Sequence, residues 1–251
     1  VPETVIGQRG YFIPHQAFFT ILEQGARAAG DSNFSLTMAP HLDVRAWGAF
    51  GAYVHAGRTF ASAWKRLLLA LPYHGPDDRM EMIATGDEIR FHYDTPSSGV
   101  IGYRHFAVSA ARIMCTILAP YVSSNWVPAR IEFDFDAPRA TTAYEDIFQC
   151  PVIFDAPRWA VVGRREMELF DRPVLDSGPT VTLSDLRRLA GPAPPVDFPA
   201  KVRELVRLQL LDGKVDIDRA SAQLGIGSRT LQRRLDEHNL VFRDLVLRTR
   251  L

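Results

Sequence analysis

The chain has 251 residues, 47% of them hydrophobic and 23% charged, with 29 Lys/Arg against 29 Asp/Glu. Those values fit one large globular domain, or a medium and a small one, and exclude a disordered or collagen-like chain. The neutral total hides an asymmetry: residues 198–251 hold 11 Lys/Arg and 7 Asp/Glu, leaving 18 and 22 elsewhere, so the basic end is the one suited to a nucleic acid.

In chain order, Pro14 to Ala29 reads as a helix, with Phe18, Phe19, Leu22 and Ala26 recurring on one side. Thr59 is placed to cap a helix that runs through Ala63 and Leu67 and stops before Pro72. Met80–Ile83 and Glu88–Tyr93 are strand-like runs around Thr85-Gly86-Asp87, which is a hairpin signal. Val100 to Val122 reads as a long helix. Its most apolar part, from Phe106, is interrupted by Arg112 and ended by Pro120, too short and too charged for a membrane span.

Arg130 to Asp136 alternates with period two, which predicts a half-buried strand with Ile131, Phe133 and Phe135 inward. Thr141 to Phe148 follows as a short helix, then strand candidates at 151–154 and 159–162. Strands joined by hairpins and mixed with helices predict an α+β domain, a largely antiparallel sheet with flanking helices. Cys115 and Cys150 lie among apolar residues and are too few for a disulfide framework, so buried thiols and a cytoplasmic setting are expected.

The Pro-rich run from Ala190 to Asp197 resists regular structure. It predicts a division into residues 1–190, a linker at 191–197, and a helical segment at 198–251. In that segment Val202, Leu205, Val206 and Leu210 form one stripe ended by Gly213. Asp216 is placed to cap a short helix through Leu224, Leu224 to Gly227 form a turn, and a third helix runs from Ser228 to His238, with Asn239 where it should stop.

Two helices joined by a tight glycine turn pack at a steep angle and leave the second free to enter the major groove. Ser221 is small enough to permit the close contact. Leu231 and Leu235, an i, i+4 pair, point inward, so Arg229, Gln232 and Arg233 fall on the outer face. Arg pairs bidentately with guanine and Gln with adenine, which makes these three the candidate base readers. Arg234, Lys214, Ser228 and Thr230 are the candidate phosphate contacts.

The run from Asp216 to Phe242, centred on Leu-Gly-Ile-Gly-Ser-Arg-Thr-Leu-Gln-Arg-Arg-Leu and followed by Phe242-Arg243-Asp244-Leu245, resembles the first helix-turn-helix of AraC-type regulators. The resemblance implies that Arg229, Gln232 and Arg233 face the bases. Gly227, Ser221 and Asn239 stand where that family more often has Ser, Ala and Gly. The family also carries a second such motif after a long joining helix. With only 50 residues from Val202 to Leu251, that motif is expected to be absent and DNA affinity to be low.

Residues 140–154, with Tyr144, Phe148 and a strand ending in Phe154, together with Ala49–Tyr53, resemble the sensor domain of the VirS-like branch of the same family. That resemblance implies sensing of a small-molecule effector of unknown identity. Trp47, Phe50, Tyr53, Phe91, Tyr93 and Phe106 are candidate walls of its pocket, and Arg104 and His105 candidate anchors for an acidic ligand.

His41, His74, His92 and His105 lack metal-ligand spacing, and neither a nucleophile-bearing turn nor a phosphate-cradling Gly loop occurs, so no metal, cofactor or catalysis is expected. The expected function is an effector-responsive, sequence-specific activator whose partner is double-stranded promoter DNA, with a homodimer compatible with such binding and no membrane partner. The alternatives are a non-sensing dimerisation protein with a DNA-binding tail, and an enzyme domain with an interaction tail.

Overall fold

The computed structural model describes residues 10–96, 98–122, 126–166, 181–190 and 194–250. The first part of the Pro-rich linker, residues 191–193, lies outside the described residues.

Helix α1 (His15–Ala29) follows Pro14 and ends at Gly30, whose φ of 63° closes the last turn. Two short helices follow, α2 (Phe34–Met38) and α3 (Ala49–His55). In α4 (Phe60–Ala70) the expected cap is present: the Thr59 hydroxyl accepts the Ser62 N–H at 3.1 Å. The hairpin comprises β1 (Arg79–Thr85) and β2 (Glu88–Asp94) around Gly86 and Asp87.

Helix α5 (Tyr103–Leu118) starts three residues later than its apolar pattern suggests. Gly102 sets the start: its φ is 87°, and a Cβ there would lie 2.1 Å from the Phe19 carbonyl oxygen. Next come β3 (Arg130–Glu132), α6 (Thr141–Phe148), β4 (Val152–Ile153) and β5 (Ala160–Arg164). Strand β3 is shorter than the alternation to Asp136 predicts. Phe133 N–H still bonds Ile153 O at 2.8 Å, but the chain then bends, leaving Phe135 half-buried.

The five strands form one mixed sheet in the order β1-β2-β5-β3-β4. All pairs are antiparallel except β3 with β4. Alternation places Ile89, Phe91 and Tyr93 on the face that carries the helices, where the Phe91 ring meets Phe60 and Trp64 of α4. The other face carries ion pairs. Arg130 reaches Glu88 at 2.5 Å and Glu132 at 2.7 Å, and the Arg130 guanidinium holds the Glu88 carboxyl below its usual range.

Phe133, Phe135, Tyr144, Phe148 and Phe154 close one end of the core as an aromatic cluster. Cys115 and Cys150 are free and buried, and burial pushes their thiols up to about 12 and about 11. Both are therefore neutral at physiological pH.

Helices α7 (Leu183–Ala190), α8 (Phe198–Leu211), α9 (Ile217–Gln223), α10 (Ser228–Asp236) and α11 (Phe242–Thr249) complete the described elements. The first packs on α3 and α4. The last four enclose a separate apolar cluster of Val202, Ala220, Leu231, Leu235 and Leu245. Among the described residues no helix is long and apolar enough to cross a membrane.

Phe91 has no exposed surface and sits between two aromatic rings. Phe91→Ala is expected to lower stability by about 3–5 kcal/mol, read as a reduced urea midpoint in equilibrium unfolding.

Candidate nucleic-acid interface

Helix α8 is the platform. Asp197 caps it by accepting the Ala200 N–H at 2.6 Å, and Pro199 occupies its first turn. Val202, Leu205 and Val206 are buried as expected, but the fourth member of the stripe is replaced: Leu210 is only partly buried, whereas Gln209 is fully buried. Its side chain explains the difference. Gln209 Nε2 donates to Gln223 Oε1 at 3.0 Å, and Gln209 Oε1 accepts the Asp216 N–H at 2.8 Å. One amide thus ties α8 to both ends of α9, a role that hydrophobic periodicity does not signal.

At the start of α9, Asp216 accepts the backbone N–H groups of Asp218 and Arg219 at 2.8 and 3.0 Å. The Arg219 N–H, then that of Asp218, holds the Asp216 carboxyl below its usual range. The turn from α9 into α10 passes through Gly225, whose φ of 68° is readily supplied only without a side chain. Ser221 is buried, and its hydroxyl lies 3.2 Å from that of Ser228 at the first turn of α10. The Ser228 hydroxyl also donates to Asp218.

Along α10, Leu231 and Leu235 are 0% and 1% exposed. With about 100° between successive residues, burying that pair turns Arg229, Gln232 and Arg233 outward, and all three are exposed. Arg233 pairs with Glu237 one turn on, at 2.9 Å. Asn239 ends the segment at φ 55°, in the left-handed region.

Of the candidate phosphate contacts, Lys214 is exposed in the α8–α9 loop, and Ser228 and Thr230 are partly buried at the start of α10. Arg234 lies on the helix flank, its guanidinium 5.4 Å from the centre of the Phe198 ring. It faces a cleft rather than standing with the outer three.

That cleft, about 1100 Å³, lies between the sheet-containing part and the helical part of the chain. The contacts holding the two parts include Lys201 Nζ to Asp77 at 2.6 Å, the Phe12 N–H to Glu204 at 3.1 Å and Arg207 to Gly10 O at 2.6 Å.

Of the candidate effector residues, Trp47, Phe50 and Phe106 line the cleft. The other five do not. Phe91 is core, Tyr53 is buried with Arg66 over its ring, and the Tyr93 hydroxyl donates to Asp78 at 2.5 Å. His105 is 1% exposed and faces Ser35, and Arg104 is exposed on α5. Composition marked these residues as aromatic or basic without telling interior from wall. The cleft's further aromatic residues, Tyr11, Phe12, His15, Phe18, Tyr73, His74 and Phe198, were not anticipated as its walls; the Trp-Gly-Ala-Phe context of Trp47 and Phe50 gives no cue to them.

The family model for the arabinose-binding domain of AraC transcription regulators, N-terminal, matches residues 1–174. The chain belongs to this family. The match includes α1 to α6 and the five strands found among the described residues of this AraC-type regulator. Transcription regulation, rather than catalysis, is what the family does, and the matched segment is its effector-binding domain. The crystal structure of the transcriptional regulator CdpR from Pseudomonas aeruginosa is similar at 17% identity, with a TM-score of 0.46 over 86% of this chain and 71% of that one. No curated protein matches the chain.

The inward and outward faces of α10 should separate in their energetics. Leu235→Ala is expected to lower stability by about 2–5 kcal/mol and Arg229→Ala by less than about 0.5 kcal/mol, both measured by urea unfolding.

Proposed function

We propose that this AraC-type regulator is an effector-responsive, sequence-specific DNA-binding activator, with residues 1–190 as the sensor, 191–197 as a linker and 198–251 as a helix-turn-helix segment. Its sensor resembles that of the VirS-like branch. The observation that carries the reading is the outward set Arg229, Gln232 and Arg233 on a helix whose opposite face is held by Leu231 and Leu235.

In this reading α10 enters the major groove, where a guanidinium spans guanine O6 and N7 and an amide spans adenine N6 and N7. The Arg233–Glu237 pair is exposed, so little is lost when Arg233 turns to a base. Lys214, with the hydroxyls of Ser228 and Thr230, meets phosphates and sets the register without reading sequence. Arg234 adds a phosphate contact once it leaves the Phe198 ring. The net positive charge of residues 198–251 favours the encounter. Two copies on two half-sites would supply the affinity that one short helix lacks.

Selection from a random-sequence duplex library, followed by fluorescence anisotropy, tests this. The combined Arg229→Ala, Gln232→Ala, Arg233→Ala variant is expected to lose about 100-fold or more of the preference for the selected sequence over a scrambled one. Lys214→Ala is expected to weaken both duplexes alike and to lower the salt slope by about one. A triple variant that keeps its preference would overturn the reading.

A further inference from the structure

The cleft between the two parts of the chain has an aromatic wall and an unneutralised cation. On the sensor side the rings of Trp47 and His74 stack at 4.6 Å and 24°, and Phe50 lies 5.7 Å from Trp47 and 5.6 Å from His74. Trp47 is 37% exposed, an unusual amount of open surface for an indole. On the helical side the cleft is lined by Phe198 of α8 and Ile226 of the turn into α10. Its volume of about 1100 Å³ is ample for a molecule of ordinary ligand size.

The charged groups of the cleft differ in how they are compensated. Asp77 is paired with Lys201 at 2.6 Å. Glu204 accepts the Phe12 N–H at 3.1 Å and lies 3.6 Å from Arg207. His74 is exposed to the cleft, and the surrounding protein and the neighbouring His15 lower its pKa, so it adds no cation there at physiological pH. Arg234 is the exception. Among the described residues its guanidinium has no carboxylate partner and rests over the face of Phe198. Arg234 is exposed to the cleft, and a guanidinium with no carboxylate partner can take a carboxylate through two parallel N–H donors.

We propose that this cleft binds an aromatic monocarboxylate, its ring against the Trp47, Phe50 and His74 wall and its carboxylate on Arg234. The inference rests on the effector-responsive reading and gives it a ligand class and an anchor. Flat rings suit the site because offset stacking or edge contact uses the exposed surface of the Trp47, Phe50 and His74 cluster. Arg234 also flanks the outer face of α10, so a carboxylate bound there takes a cation that a DNA phosphate would otherwise use. By linkage, duplex and ligand then weaken one another.

Isothermal titration of the full chain without DNA tests the site, using 2-naphthoate and its uncharged counterpart 2-naphthamide. Wild-type protein is expected to bind naphthoate, and Arg234→Gln to weaken it about tenfold or more. Naphthamide should bind weakly and equally to both proteins, and Trp47→Ala should weaken both probes. Arg234→Lys, which keeps the charge but loses the planar fork, should fall between wild type and Arg234→Gln and guards against a fold defect in the glutamine variant. Equal naphthoate affinity in wild type and Arg234→Gln, or no binding at millimolar naphthoate, would overturn the proposal. With no duplex present, either outcome leaves the DNA-reading test unaffected, and failure of that test leaves this one standing.

Discussion

Two leucines set the orientation of everything at the carboxyl-terminal end. Leu231 and Leu235 lie one turn apart on α10 and are buried against Val202, Ala220 and Leu245. A helix has no freedom to bury that stripe and also hide the residues opposite it, so Arg229, Gln232 and Arg233 must face solvent. The remaining devices refine this placement. Gln209 ties α8 to both ends of α9, Gly225 reverses the chain, and the Ser221–Ser228–Asp218 contacts fix the start of α10. Loss of the leucine pair would leave those polar contacts with nothing to orient.

Helix α8 belongs to two packing systems at once. Val202 joins the cluster under α10, while Lys201, Glu204 and Arg207 hold Asp77, the Phe12 amide and the Gly10 carbonyl of the sensor part. Tyr11 lies under the Arg207 guanidinium at 4.1 Å, adding a cation–π contact to the same seam. A shift of α8 relative to the sheet-containing part therefore moves α10 with it, because the apolar cluster joins them rigidly. The cleft opens beside this seam, next to the turn that precedes α10. Position, rather than size alone, makes it a suitable place for a ligand to act.

Much of the local structure was legible in the sequence because it depends on neighbours along the chain. Thr59 and Asp216 cap helices where expected, the β1–β2 hairpin turns at Gly86-Asp87, and Asn239 takes the left-handed conformation. Errors came where distant contacts decide. Gly102 delays α5 by taking a φ of 87° where the Phe19 carbonyl leaves no room for a side chain, and Gln209 displaces Leu210 from the interior because two partners from α9 satisfy it. The walls of the cleft were the least legible. An aromatic side chain carries the same sequence signal whether it fills a core, as Phe91 does, or lines a cleft, as Trp47 does. Arg234 illustrates the same limit: its helix position is readable, but its rest over Phe198 requires the fold.

The central claim is that the outer face of α10 meets a duplex. Photo-crosslinking tests it most directly, with p-benzoylphenylalanine placed in turn at Gln232 and at Ile153, an exposed residue at the far edge of the sheet. The account predicts a crosslink from position 232 to major-groove bases of a selected duplex and none from position 153. A crosslink yield no higher at 232 than at 153 would contradict it.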